Sequence, residues 1–242
     1  MGLIMTLGDD IKNFYENRYR LFLPRHTPVL MRLDGKAFHT LTKNCARPFD
    51  SFLSDCMDST AIRLCKEIMG AKCAYVQSDE ITILITDYAK QGTEAWFDYN
   101  LAKMCSISSS VASVEFTNLF GNNGYFDSRV FSVPREMVAK NFSWRQRDWF
   151  RNSLQMYSRS FYSHKDLMNK NQTDMHEMLH DKGENWANLE DRWKNGRFIV
   201  RVQKTKWIES IQEEKEVMEW QVLPECPIFQ TQDDEVINEL LK

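Results

Sequence analysis

Apolar positions along this chain recur at two spacings, and the switches between them outline a fold. Pro28 to Leu33 is a short apolar run that stops at Asp34-Gly35, which predicts a buried strand ended by a turn. From Asp50 to Met69, apolar residues such as Leu53, Cys56, Met57, Leu64 and Ile68 fall near helical spacing. With Asp50 or Ser51 as N-cap and Gly70 as C-cap, they predict a helix. The stretch CAYVQSDEITILIT is two β-rich runs broken by Gln77-Ser78-Asp79-Glu80, a hairpin with a polar tip. A second helix is expected from about Glu94 to Glu115, where the small side chains of SISSSVAS would let it lie close on a sheet. A strand in DSRVFSVP, a helix from Arg135 to about His164, and two strands after Gly196 (RFIVRVQKTKWIE and KEVMEWQVLP) complete the series.

The order β-α-β-β-α-β predicts an α/β (α+β) fold of the ferredoxin-like split βαβ kind, an antiparallel sheet with helices packed on one face. Polymerase palms and nucleotidyl cyclases share that order, as do unrelated binding domains, so function has to come from the site. The expected organisation is a palm-like core over 1–134 and a helical region with a C-terminal β-hairpin extension over 135–242. Together they form one continuous globular unit.

Composition changes this picture little. Hydrophobic residues make up 43% and charged residues 27% of the 242, and no window approaches the roughly eighteen apolar residues of a membrane span, so a soluble protein with no membrane partner is expected. MGLIMTLGDD holds acids where an export signal holds basic residues. The six cysteines form no C-x-x-C pair, which predicts reduced, structural thiols and a cytoplasmic location. The formal net charge of −3 gives no overall attraction for nucleic acid, yet Arg129, Arg135, Arg145, Arg147, Arg151 and Arg159 cluster mid-chain and could form a local basic face.

The chemistry lies in the carboxylates. Asp34 ends the first strand, and Asp79 with Glu80 sits at the hairpin tip; in a split βαβ sheet these strands are neighbours, so the acids can converge. Converging carboxylates are costly unless a cation neutralises them. Magnesium, which takes one or two carboxylates and completes its shell with water and substrate phosphates, is the natural candidate. Gly35 would let backbone approach a ligand, and the amides of Lys36, Ala37, Phe38 and His39 could form an anion-binding nest for a triphosphate. Taken singly, D-G is more often merely a turn and S-D-E merely a solvated hairpin tip.

The motifs together carry a resemblance. MRLDGKAFH, RPFD, YVQSDEITILI, WFDYNLAKMCSISSSVASVEF, FDSRVFSVP and WRQRDWFRNS occur in the order in which similar segments occur in the tRNA-His guanylyltransferase family, over about Thr6 to Gly196. The resemblance implies a nucleotidyltransferase. It implies that Asp34, Asp79 and the Gly35 carbonyl hold two Mg2+ ions and that Glu80 supports them. Arg32, Ser78, Lys103 and Arg47 would surround nucleotide triphosphates, with Ala46 and Asp50 at the incoming base. It further implies tRNA, ATP, GTP and other NTPs as partners, and a homotetramer.

After W-R-Q-x-D the tRNA-His enzymes continue C-H-I-N-N-L-Y-N, whereas this chain has Trp149-Phe150-Arg151-Asn152-Ser153-Leu154-Gln155-Met156. It therefore resembles the family's guanylyltransferase-like branch, which repairs tRNA 5′ ends by template-directed 3′-to-5′ addition. A tRNA-His-specific guanylyltransferase, a nucleotidyl cyclase and a non-catalytic RNA-binding module are the alternatives. Arg129, Arg135, Arg145, Arg147, Arg151 and Asn152 are the expected tRNA contacts. Trp144, Trp149, Phe150 and Tyr157 are either stacking platforms or, as large apolar side chains usually are, packing. His176-Glu177-Met178-Leu179-His180 has the zinc-protease spacing, but Trp186 occupies the third-ligand position, and the segment also resembles a stretch of the guanylyltransferases.

Overall fold

The computed structural model describes residues 6–90, 92–208 and 212–242. Its helices are α1 (Leu7–Phe14), α2 (Phe38–Leu41), α3 (Ser51–Glu67), α4 (Leu101–Phe120), α5 (Arg135–Ser158), α6 (Gln172–Asp181), α7 (Asp191–Lys194) and α8 (Glu235–Leu240). Its strands are β1 (Val29–Gly35), β2 (Ala71–Gln77), β3 (Glu80–Ile85), β4 (Phe126–Ser132), β5 (Arg197–Ile208) and β6 (Glu213–Val222). They form one sheet in the order β4-β1-β3-β2-β5-β6, antiparallel throughout, with the expected split βαβ unit extended at one edge by the C-terminal hairpin.

Both faces of the sheet are covered, not one as the element order suggested. Val29, Met31, Leu33, Ile81 and Ile83 pack on Met57, Leu64, Met104 and Phe116 of α3 and α4. Leu30, Tyr75, Leu84 and Phe198 pack on Val138 and Phe142 of α5 and on Phe229, Ile237 and Leu241 of the C-terminal segment. The reason is visible in β3, where all six residues of EITILI are buried; a strand apolar on both sides needs a layer on each. Gln146 of α5 ties that C-terminal segment down, donating to the Pro227 carbonyl (2.9 Å) and accepting from the Phe229 amide (2.9 Å).

Helix ends follow their caps. Asp50 caps α3 by accepting from the Leu53 amide at 2.8 Å. The helix expected from Glu94 begins instead at Leu101, because Phe97, Asp98 and Tyr99 are left-handed (φ 53°, 51° and 55°) and Asn100 is the cap. It ends at Phe120, where Gly121 turns out of it. The serines of α4 do allow close approach: Ser108 bonds Ser128 of β4 at 2.8 Å, and Ser113 accepts from the Phe126 amide at 3.0 Å. α5 stops at Ser158, short of His164.

A candidate nucleotidyl-transfer site

Register sets the site. Asp34 lies opposite Glu80 of β3 on one side and Asp127 of β4 on the other, so the three side chains share a sheet face, the one that α5 covers. One step along, Arg32 lies opposite Arg129 on the same face. Arg32 Nε is buried without a partner, and directly opposed like charges are unfavourable. A row of acids beside a row of cations is an arrangement that an anion carrying its own cation would neutralise.

The two-residue turn Ser78-Asp79 is held against the end of β1 by the Gly35 amide, which donates to the Asp79 carbonyl at 3.1 Å. Gly35 is required there: a Cβ would lie 2.4 Å from the ring of Phe38. Burial, and then the charge of nearby Asp34, push the Asp79 carboxyl up to about 6, and the two acids line the same cleft. Glu80 differs. Its oxygens accept Arg145 Nε and Nη2, each at 2.6 Å, and both side chains are nearly buried.

Asp34, Ser78 and Asp79 open onto a cleft of about 430 Å³ whose far wall is α5 and its C-cap, through Asp148, Trp149, Asn152 and Arg159. A tighter pocket adjoins it, sharing Ser78, Trp149 and Met156, and is lined by Ala46, Arg47, Asp50, Phe49, Trp193 and Arg197. Phe49 and Trp193 are stacked, 4.9 Å between centroids at 8°. An aromatic slot, walled on one side by this ring pair, beside an acid-floored cleft suits a nucleotide, base in one and phosphates in the other.

The other expected residues are distributed as follows. The Lys36 amide is taken by the Tyr125 carbonyl (2.7 Å), so it cannot serve an anion nest, whereas among the described residues no turn or cap bond takes the amides of Ala37, Phe38 or His39. The Phe38 side chain is core, against Phe116 and Phe126. Asp50 spends one oxygen on its cap and the other on the Ala46 amide (2.8 Å), amides that hold its carboxyl below the usual range. Arg47 donates to the Thr42 carbonyl at 3.2 Å. Lys103 is exposed in the first turn of α4, over the Phe97 ring, and lines neither cavity.

Of the expected tRNA contacts, Arg145 is buried on Glu80 and must be withdrawn as a phosphate ligand. Arg135 donates to the Leu241 carbonyl (2.9 Å), Arg151 pairs with Asp148, and Arg129 lies 3.4 Å from Asp127; Arg147 is exposed. Among the aromatics, Trp149 is buried and Trp144 is 54% exposed. Phe150 packs edge-on to Trp186. Sequence reasoning missed Asp127, Phe49, Trp193 and Arg197; only Asp127 left a signal, since it has the register of β4 opposite Asp34. His176 faces Trp186, and among the described residues no group of three or more His, Cys, Asp or Glu side chains is gathered as zinc would need.

A split βαβ sheet with acids at the end of β1 and at the tip of the β2–β3 hairpin, beside an aromatic slot, defines a palm-type nucleotidyltransferase. Residues 8–134 match the family described as tRNAHis guanylyltransferase (Thg1); this is more than half of the chain, which belongs to that family. A bacterial tRNA(His) guanylyltransferase (Thg1)-like protein solved in complex with ATP is 37% identical, with a TM-score of 0.87 over 98% of this chain and 99% of that one. One in complex with GTP is 38% identical, with a TM-score of 0.84 over 97% and 98%. The tRNA(His) guanylyltransferase of Kluyveromyces lactis is 26% identical over 201 residues, 72% of this chain and 82% of that one. Members of the family are nucleotidyltransferases acting on tRNA, and this chain is an enzyme of that kind.

Proposed function

We propose that this enzyme repairs tRNA 5′ ends by template-directed 3′-to-5′ nucleotide addition, with magnesium as cofactor. The observation that carries the reading is the meeting of Asp34 and Asp79 where the cleft joins the aromatic slot. Two carboxylates, one of them resisting ionisation, fit a hard divalent cation that keeps open positions for water and phosphate. Asp34, Asp79 and the Gly35 carbonyl would hold it. Bound magnesium would acidify an attacking hydroxyl and offset triphosphate charge.

The chain's own residues supply position. The stacked pair Phe49 and Trp193 would wall the base pocket on one side, Arg32 and Arg129 would face phosphate charge, and Asn152 and Arg159 would border the tRNA end. ATP would activate a tRNA 5′-monophosphate, releasing pyrophosphate and leaving an adenylylated end. The 3′-hydroxyl of an incoming GTP or other NTP would then attack that end and displace AMP. No side-chain nucleophile is needed, and the acceleration comes from alignment. The related structures solved with ATP and with GTP support binding of both nucleotides.

Phe150 stands where the tRNA-His enzymes have a histidine and is used in packing on Trp186, which supports selection by base pairing rather than by a tRNA-His reader. A cytoplasmic homotetramer completes the proposal. The test compares kcat/KM for 5′-truncated tRNAs bearing each of the four templating bases with that for full-length tRNA-His. The added nucleotide should change with the template. If guanosine enters whatever base lies opposite, and full-length tRNA-His is the best substrate, tRNA-His guanylylation replaces repair.

A further inference from the structure

Glu80, the second acid of the Ser78-Asp79-Glu80 segment, is fully engaged by protein. Glu80 Oε1 accepts Arg145 Nε (2.6 Å), Gln77 Nε2 (3.1 Å) and Thr82 Oγ1 (3.4 Å), and Oε2 accepts Arg145 Nη2 (2.6 Å). This two-armed geometry is the strongest that a carboxylate and a guanidinium make. Arg145 is fixed in turn: Nη2 also reaches Asp148 at 3.2 Å, and its guanidinium lies on the Trp144 ring at 4.6 Å. Asp148 lines the cleft, one turn from Asn152.

We propose that Glu80 and Arg145 are positioning residues for nucleotidyl transfer. They form a brace that fixes the turn carrying Asp79 to α5, the far wall of the cleft, and Glu80 ligates no metal. The inference rests on the reading of Asp34 and Asp79 as the cation site. The backbone of the turn is tied to β1 by a bond from the Gly35 amide to the Asp79 carbonyl, and Asp79 is covalently adjacent to Glu80. Whatever fixes Glu80 therefore fixes Asp79. Removing one partner leaves a buried charge uncompensated beside the acids, and displacements of an ångström at a reacting centre are costly in rate.

The experiment uses the variants E80Q, R145M, R145K and E80Q/R145M. Steady-state nucleotide addition to 5′-truncated tRNA is measured for each, and Mn2+ binding is followed by electron paramagnetic resonance. E80Q and R145M should each lower kcat by about tenfold or more while KM for the NTP stays within about threefold. R145K should retain part of the loss-prone activity, and the double variant should be no worse than the worse single, as coupled residues behave. Mn2+ affinity in E80Q should stay within about threefold of the parent. A Mn2+ ion lost in E80Q, unchanged kcat in R145M, or multiplied losses in the double variant would overturn the brace. If R145M does not fold, E80Q and R145K decide on the same criteria. D79N is the control: Mn2+ binding that survives it sinks the cation site itself, and the kinetic comparison still decides the brace.

Discussion

Replacing Asp79 with asparagine should stabilise the metal-free protein at neutral pH. The folded protein holds this carboxyl at about 6, against 3.8 for an ordinary aspartate, chiefly through burial and then the charge of Asp34. Because the folded state binds this proton more tightly than the unfolded chain, the group's stabilising contribution is full below pH 3.8 and is lost as pH rises through 6. At about 1.4 kcal/mol per pH unit, the two-unit difference is worth roughly 3 kcal/mol; partial solvent access and the bonds that asparagine forgoes reduce this to about 1–3 kcal/mol. For a chain of this size that is roughly 2–10 °C in Tm. The assay is thermal denaturation in EDTA from pH 5 to 8. The parent should lose stability relative to D79N across this range, and D79N should be the more stable at pH 8. Saturating Mg2+ should raise the parent's Tm and leave that of D79N nearly unmoved. Parallel pH profiles, or a less stable D79N at pH 8, would refute the reasoning.

Asp34→Ala and Asp79→Ala should each abolish nucleotide addition while circular dichroism stays native; near-normal Mg2+-dependent activity in both would remove them from the chemistry. His176→Ala and His180→Ala should leave activity and metal content unchanged, and stoichiometric zinc lost with either substitution would contradict the edge-on packing of His176 against Trp186. Gly35→Ala should cost about 1–3 kcal/mol in urea denaturation, because its methyl would meet the Phe38 ring at 2.4 Å; an unchanged midpoint would mean that the ring has room to retreat.

The sheet and its acids were legible because their signals are local. Continuous apolar runs ending at D-G or broken by S-D-E specify strands, and a known topology makes those strands neighbours. The start of α4 was not legible, since Ala95, Trp96 and Tyr99 are buried at a spacing that imitates a helix through a left-handed stretch. Arg145 was misjudged among similar arginines, although it falls on the inward stripe of α5 with Val138, Phe142 and Trp149. That stripe could have marked it. The aromatic slot had no such signal, because Phe49, Trp149, Trp193 and Arg197 meet only when distant parts of the chain have packed.

The strand order also has a kinetic consequence. Only the β2–β3 and β5–β6 pairs join strands consecutive in sequence; β1 must wait for β3 on one side and for β4, beyond the whole of α4, on the other. Closing a short turn takes far less chain entropy than closing those long loops, so the β2–β3 hairpin can form before either pairing of β1. Asp79 would then be set in its turn before Asp34 arrives beside it, and the electrostatic cost of bringing the two acids together would fall on a late step of folding. Refolding should accordingly speed up when divalent cations are present or when the pH is lowered through 6, with little change in the earliest phase.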